Sequence, residues 1–157
     1  MERYPLCRKI YLKLAPPTDE DARGDRERIL DGLTGEYTTA VMPLQVMRKL
    51  YPLCRKAGWE VTLLMGFHDG VWEILDIEAG DTTDQLYGLA VDYGSTTLVM
   101  QVVDLHTGET LTQQTAFNPQ IPYGEEILSR IFYTKDQPEH LEELQQKTVE
   151  GFNALIR

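Results

Sequence analysis

Cysteine is scarce in this 157-residue chain, which holds only Cys7 and Cys54. A ferredoxin-type [2Fe–2S] cluster needs four thiolate ligands, so the chain alone cannot carry one. Histidine is equally sparse. His68, His106 and His140 are separated by strand-like and turn-like segments and show no metal-ligand spacing. No apolar run approaches the ~20 residues of a membrane helix, and Met1-Glu2-Arg3-Tyr4-Pro5 lacks a signal-peptide pattern. A cytoplasmic location is the default expectation, with no membrane partner. Basic residues are in deficit, 15 against 25 acidic ones, for a formal net charge of −10. Such a surface repels phosphodiester backbones and excludes sequence-independent nucleic-acid binding. Ser129 has neither a nucleophile elbow nor an evident base. The carboxylate groups at Asp76, Glu78, Asp81 and Asp84, and at Glu139, Glu142, Glu143 and Glu150, read as solvated faces.

Hydrophobic residues make up 42% of the chain, enough for a core, and the length suits one ordinary domain or two small ones. Ile10, Leu12 and Leu14 alternate with Tyr11 and Lys13, the pattern of a half-buried strand that Pro16-Pro17 ends. Thr18 and Asp21 approximate a capping box before a helix with Ile29, Leu30 and Leu33 on one edge. This segment, residues 1–33, has too few apolar residues for a core of its own. Residues 34–84 read as a compact α+β unit. Leu44, Met47 and Leu50 share a face of a helix that Pro52 is expected to break or restart after Tyr51. Strand-like runs at 59–65 and 71–77 flank the hairpin signal His68-Asp69-Gly70. From 87 onward come antiparallel strands and then two helices. One covers roughly 125–135 with Ile127, Leu128, Ile131 and Phe132 inward. The other starts at Asp136, with Pro138 and Glu139 suiting its first turn, and buries Leu141, Leu144, Phe152, Leu155 and Ile156.

The stretch with most chemistry is Gly88-Leu89-Ala90-Val91-Asp92-Tyr93-Gly94-Ser95-Thr96-Thr97. An apolar strand runs into an acid, a glycine and three hydroxyl residues, an order that suits a phosphate site. Asp92 can hold a hydrated Mg²⁺, an ion that keeps several waters and takes few carboxylates. Gly94 is expected at positive φ, letting the backbone N–H groups of Ser95, Thr96 and Thr97 converge on an anion. The other reading is a plain hairpin between core strands.

The block from Gly88 to Ile131, with Asn118-Pro119-Gln120-Ile121-Pro122-Tyr123-Gly124-Glu125-Glu126-Ile127-Leu128-Ser129-Arg130-Ile131 after the strands, resembles the start of the ATPase domain in the reductive activators of corrinoid proteins. Those ATPases belong to the acetate and sugar kinase, heat-shock protein 70 and actin superfamily. Lys9-Ile10-Tyr11-Leu12-Lys13-Leu14-Ala15-Pro16-Pro17 and Asp25-Arg26-Glu27-Arg28-Ile29-Leu30 are similar to the linker of those activators, and residues 34–84 to their small middle domain. The resemblance implies a truncated α+β chain: linker 1–33, middle domain 34–84, and from 85 to 157 the start of a ribonuclease H-like, actin-like ATPase domain. It implies ATP and Mg²⁺ as cofactors. Asp92 would position Mg²⁺ through water, and Gly94, Ser95, Thr96 and Thr97 would bind the nucleotide phosphates. Asn118, Gln120 and Arg130 would lie near a lobe interface, and Arg130 can alternatively pair with Glu126 one helical turn earlier. The partner implied is a corrinoid protein, whose Co(II) is returned to Co(I) by ATP-coupled electron transfer.

The chain departs from the family at Tyr93 and Ser95, where an aliphatic residue and a threonine are expected. The family's cysteine-rich amino-terminal domain, which carries the [2Fe–2S] cluster, and its second ATPase lobe have no counterpart in these residues. An isolated fragment of this kind is expected to hydrolyse ATP negligibly. The apolar faces of the last two helices would then meet a missing second lobe or a second copy of the chain. An alternative reading is a self-standing protein-docking module without nucleotide turnover. Finally, Tyr4-Pro5-Leu6-Cys7-Arg8-Lys9 recurs as Tyr51-Pro52-Leu53-Cys54-Arg55-Lys56. Each cysteine precedes two cations, which can lower a thiol pKa, so a redox pair is a further, less favoured idea.

Overall fold

The computed structural model describes residues 6–135 and 137–157. The chain forms two compact units, the first ending at Leu86 and the second running from Tyr87 to Arg157. Each is built on a three-stranded antiparallel sheet.

In the first unit β1 (Cys7–Lys13) pairs with β2 (Glu60–His68), which pairs with β3 (Val71–Ala79). The β2–β3 hairpin turns through Asp69 and Gly70, both at positive φ (49° and 82°), as a tight two-residue turn demands. Helices α1 (Asp25–Asp31) and α2 (Leu44–Lys56) contribute to a single buried cluster. Leu12, Ile29 and Leu33 belong to the same core as Val46, Leu50, Cys54, Val61, Leu63, Met65 and Ile74. The chain from 6 to 33 therefore shares its core with the 34–84 stretch instead of standing apart.

Three local expectations are corrected. Thr18 and Asp21 do not cap a helix. They close a turn on each other, and α1 starts later, with the Gly24 N–H accepted by the Glu27 carboxylate at 3.2 Å. Pro52 does not break α2, which runs 13 residues through it. The fully buried Val46, Leu50 and Cys54 hold that face onto the sheet on both sides of the proline, outweighing one lost hydrogen bond. The acids Asp76 and Glu78 at the end of β3 are not simply solvated either. Asp76 bonds Lys49 at 2.8 Å, and Glu78 bonds Lys9 at 2.6 Å and accepts from the Thr82 hydroxyl.

The described parts of the two copies of the repeated hexapeptide adopt different structures. Tyr4 and Pro5 lie outside the described residues, but Cys7-Arg8-Lys9 opens β1, whereas Cys54-Arg55-Lys56 closes α2. Alternation along β1 turns Arg8 toward Tyr37, Glu36 and Trp72, on the side of the shared core. Cys7 falls on the opposite face with Lys9, while Cys54 is packed in the core. A sheet stands between the thiols, so they cannot meet the ~5.5–6 Å Cα spacing of a disulfide in this fold. Burial pushes both thiols up, against the lowering expected from the flanking cations.

The second unit pairs β4 (Tyr87–Tyr93) with β5 (Thr97–Asp104) and β5 with β6 (Thr110–Phe117). Helices α3 (Ile127–Lys135) and α4 (Glu139–Ile156) follow. Helix α4 lies against the sheet face that carries Tyr93 and Leu98. Tyr93 meets the Phe152 ring edge-on at 5.6 Å, and at Gly151 an added Cβ would stand 3.2 Å from Leu98 Cδ1 and 2.9 Å from Pro119 Cγ. The expected inward face of α3 is reversed. Ile127, Leu128, Ile131 and Phe132 are all more than half exposed, as are Leu141 and Ile156 on α4, whereas Arg130 is buried. Arg130 owes its burial to hydrogen bonds with loop carbonyls, which an aliphatic side chain cannot replace. No helix among the described residues is long and apolar enough to cross a membrane.

Replacing Ile74 (fully buried) by Ala should cost about 2–5 kcal/mol, and the same change at half-exposed Leu75 much less. Urea unfolding followed by tryptophan fluorescence checks this, because both tryptophans lie in the first unit. Acid should weaken the same unit. Burial opposes ionisation of Asp76 and Glu78, but the bonds from Lys49 and the Ile77 N–H, and from Lys9 and Thr82, outweigh it and lower both carboxyls. Their contribution is present above the unfolded pKa of about 4 and is lost as pH falls through the lower folded value. The urea midpoint should therefore drop between pH 7 and pH 3, and Lys49→Met should shrink that drop by no more than about 1 kcal/mol, as for exposed pairs.

Candidate functional site

The β4–β5 connection is a three-residue loop, Gly94-Ser95-Thr96, with Tyr93 opposite Leu98. Gly94 donates its N–H to Thr97 O at 2.9 Å. It is not at positive φ, and nor is any other residue from Asp92 to Thr97, so the expected left-handed anion turn is absent. Glycine is needed here for a different reason. A Cβ at this position would stand 2.7 Å from Thr97 O, well inside contact distance.

The loop carbonyls are all held from one side. Asn118, directly after β6, donates its side-chain Nδ2 to Gly94 O and its backbone N–H to Thr96 O, each at 2.8 Å. Arg130 Nη2 donates to Ser95 O. Asn118 is 1% and Arg130 6% exposed. By contrast, among the described residues no hydrogen bond uses the Ser95 or Thr96 N–H or their hydroxyls, and both residues are exposed. Asp92 is also exposed and has no described partner. Alternation puts it on the strand face opposite Tyr93, the face that α4 leaves open.

The holding residues are themselves braced. Asn118 Oδ1 accepts from the Gln120 N–H at 2.8 Å, and Gln120 Nε2 donates to Leu144 O and Thr148 Oγ1 on α4. The Thr148 hydroxyl also meets Tyr93 OH at 2.8 Å. Arg130 Nε donates to Gly124 O at 2.8 Å, and Nη1 reaches Gln120 Oε1 at 3.4 Å. The expected Arg130–Glu126 side-chain pair does not form, because the guanidinium turns inward to these neutral oxygens. Gly124 has φ 154°, and a Cβ there would lie 2.7 Å from Ser129 Cβ and 3.0 Å from Arg130 N. Asn118, Gln120 and Arg130 thus come together behind the loop, within the unit. Tyr93, Gly124 and Thr148 complete the brace, and of these only Gly124 carries a sequence signal, a glycine just before a helix.

Farther along α3, Tyr133 OH donates to the Glu143 carboxylate at 2.7 Å and its ring stacks on His140 at 4.0 Å. The bond to Glu143 pushes the Tyr133 phenol up to about 12. This contact ties α3 to α4.

Comparison with known proteins accords with this architecture. Residues 1–84 match the family described as the RACo linker region and residues 87–157 the RACo middle region. The chain belongs to the RACo family. The linker-region match covers residues 1–33 and 34–84 together, and the middle-region match begins at residue 87. A curated RACo relative, the corrinoid activation enzyme RamQ of Eubacterium limosum, is 30% identical over 139 residues, covering 76% of this chain and 23% of that protein. A solved structure described as a reductive activator for a corrinoid, iron–sulfur protein matches with a TM-score of 0.77 and 29% identity, over 99% of this chain and 25% of that one. The chain spans about a quarter of the length of these two relatives.

Replacing Asn118 with Ala should orphan Gly94 O and the Gln120 N–H and destabilise the second unit by about 1–3 kcal/mol. Urea unfolding followed by circular dichroism should show the loss, while the tryptophan transition of the first unit stays in place.

Proposed function

We propose that this chain is the linker and middle part of an ATP-dependent reductive activator of corrinoid proteins, and that its β4–β5 hairpin is the first phosphate-binding motif of an actin-like ATPase lobe. The observation that carries the reading is the polarity of the loop. Its carbonyls are consumed by Asn118 and Arg130, and the Ser95 and Thr96 N–H groups and hydroxyls are left as spare donors. Spare donors in a short, braced loop fit phosphate oxygens. The resemblance to that lobe and the names of the two relatives support the same reading.

In this reading Gly94 lets the chain fold back on Thr97 O, and Ser95, Thr96 and Thr97 hold the phosphates. Asp92, exposed on the open sheet face, meets Mg²⁺ through the ion's own waters. Mg-ATP supplies a phosphoryl group whose binding and cleavage bias the equilibrium between two lobes, of which these residues form one wall. The coupled reaction moves one electron from a reduced iron–sulfur cluster to the Co(II) corrinoid of the partner protein, giving Co(I). The cluster itself does not fit this stretch of chain. Cys7 and Cys54 face opposite sides of the first sheet, and among the described residues no group of three or more His, Cys, Asp and Glu is placed to hold a metal ion.

The 157-residue chain should bind Mg-ATP with negligible turnover. Gly94→Val should weaken that binding more than tenfold, about 1.4 kcal/mol, and Asp92→Ala should remove its dependence on Mg²⁺. Equilibrium dialysis with labelled ATP, with and without Mg²⁺, measures both. Equal nucleotide binding by wild type and Gly94→Val, or robust hydrolysis by the isolated chain, would reject the reading.

A further inference from the structure

Arg130 has a second side that the brace does not use. A guanidinium offers five N–H donors, and among the described residues three are engaged, one of them at a marginal 3.4 Å. All three acceptors are neutral oxygens. Among the described residues no carboxylate pairs with this cation, although it is 6% exposed. Buried charges are ordinarily paired, because an uncompensated one forfeits its hydration.

The same guanidinium lines a pocket of about 250 Å³ between α3 and α4. Gln120 and Ser95 share its polar end, where both are bonded to Arg130. Ile131, Leu141 and Leu144 supply apolar walls. The volume falls below the ~300–1,000 Å³ of sites for drug-sized ligands, so the occupant is small. One cation with two spare donors matches one carboxylate, which takes paired N–H bonds from a guanidinium, better than a polyanion. Apolar walls match a short hydrocarbon chain.

We infer that this pocket binds a small aliphatic carboxylate, its anionic end on Arg130 and its chain against Ile131, Leu141 and Leu144. The site borders the hairpin loop through Ser95 and Arg130 but uses none of the spare hairpin N–H groups, so its occupancy is read without nucleotide. It gives the apolar edge of α3 an occupant that also neutralises the cation behind Ser95.

The test is a titration of the 157-residue chain with 4-methylpentanoate, without nucleotide, followed by amide NMR shifts. Saturable shifts around Arg130, Leu141 and Leu144 are expected, with the neutral 4-methylpentanamide at least tenfold weaker. Ile131→Trp, at a position 54% exposed, should fill the pocket and weaken the acid at least tenfold with an unchanged circular dichroism spectrum. Equal binding of acid and amide, no saturable shift, or undiminished binding by Ile131→Trp would overturn the inference. So would shifts at these residues that arise only on adding a corrinoid protein, which would assign the pocket to a protein partner.

Discussion

The hold of Asn118 and Arg130 on the carbonyls of Gly94, Ser95 and Thr96 is the constraint on which the second unit's candidate chemistry rests. A three-residue hairpin loop has several ways to orient its peptide planes. Here two buried side chains choose one, drawing every carbonyl inward and leaving donors to solvent. The choice costs the burial of a guanidinium, which is offset in part because three of its N–H groups meet oxygens at Gly124, Gln120 and Ser95. Strand, loop, post-strand turn and two helices are thereby fixed against one another, and Thr148 and Tyr93 close the circuit.

The first unit is organised by different physics. Its sheet is sealed on one side by helices and a continuous apolar cluster. On the other side the chain returning after β3 is fixed by polar bonds: Thr62 Oγ1 donates to Gly80 O and accepts from the Thr82 N–H, and Lys9 pairs with Glu78. Arginine–aromatic stacking runs around the rim, with Arg28 and Arg55 both over the Trp59 ring and Arg8 over Trp72. Trp59 itself is held at φ 67°, a costly backbone state for a bulky residue, following Gly58 at φ 60° in the sharp exit from α2.

Much of this was legible beforehand. Strands and hairpins follow from period-two alternation and from Asp69-Gly70, and the Asp92–Thr97 and Asn118–Arg130 segments drew attention by residue type. What sequence reasoning could not see was direction. Periodicity on α3 identified an apolar stripe at Ile127, Leu128, Ile131 and Phe132, but periodicity does not say which stripe faces the sheet. That was decided by Arg130, a cation that finds carbonyls only on the inner side. Local rules assign Gly94 to conformational freedom, whereas the close approach of Thr97 O is what excludes a side chain there. Local rules also set a helix boundary at Pro52, because they carry no account of the core that Val46 and Cys54 reach into on either side of it.

The paired hexapeptide carries a different lesson. In one copy Cys-Arg-Lys lies extended between a strand partner and solvent; in the other the same three letters complete a helical turn under Trp59. Beyond an arginine that stacks on a tryptophan in each copy, the shared letters have no counterpart in backbone geometry or in solvent exposure. For anyone tracing the ancestry of this chain, a six-letter word shared between two places is no measure of common descent, because the meaning of each copy is written by residues far from it.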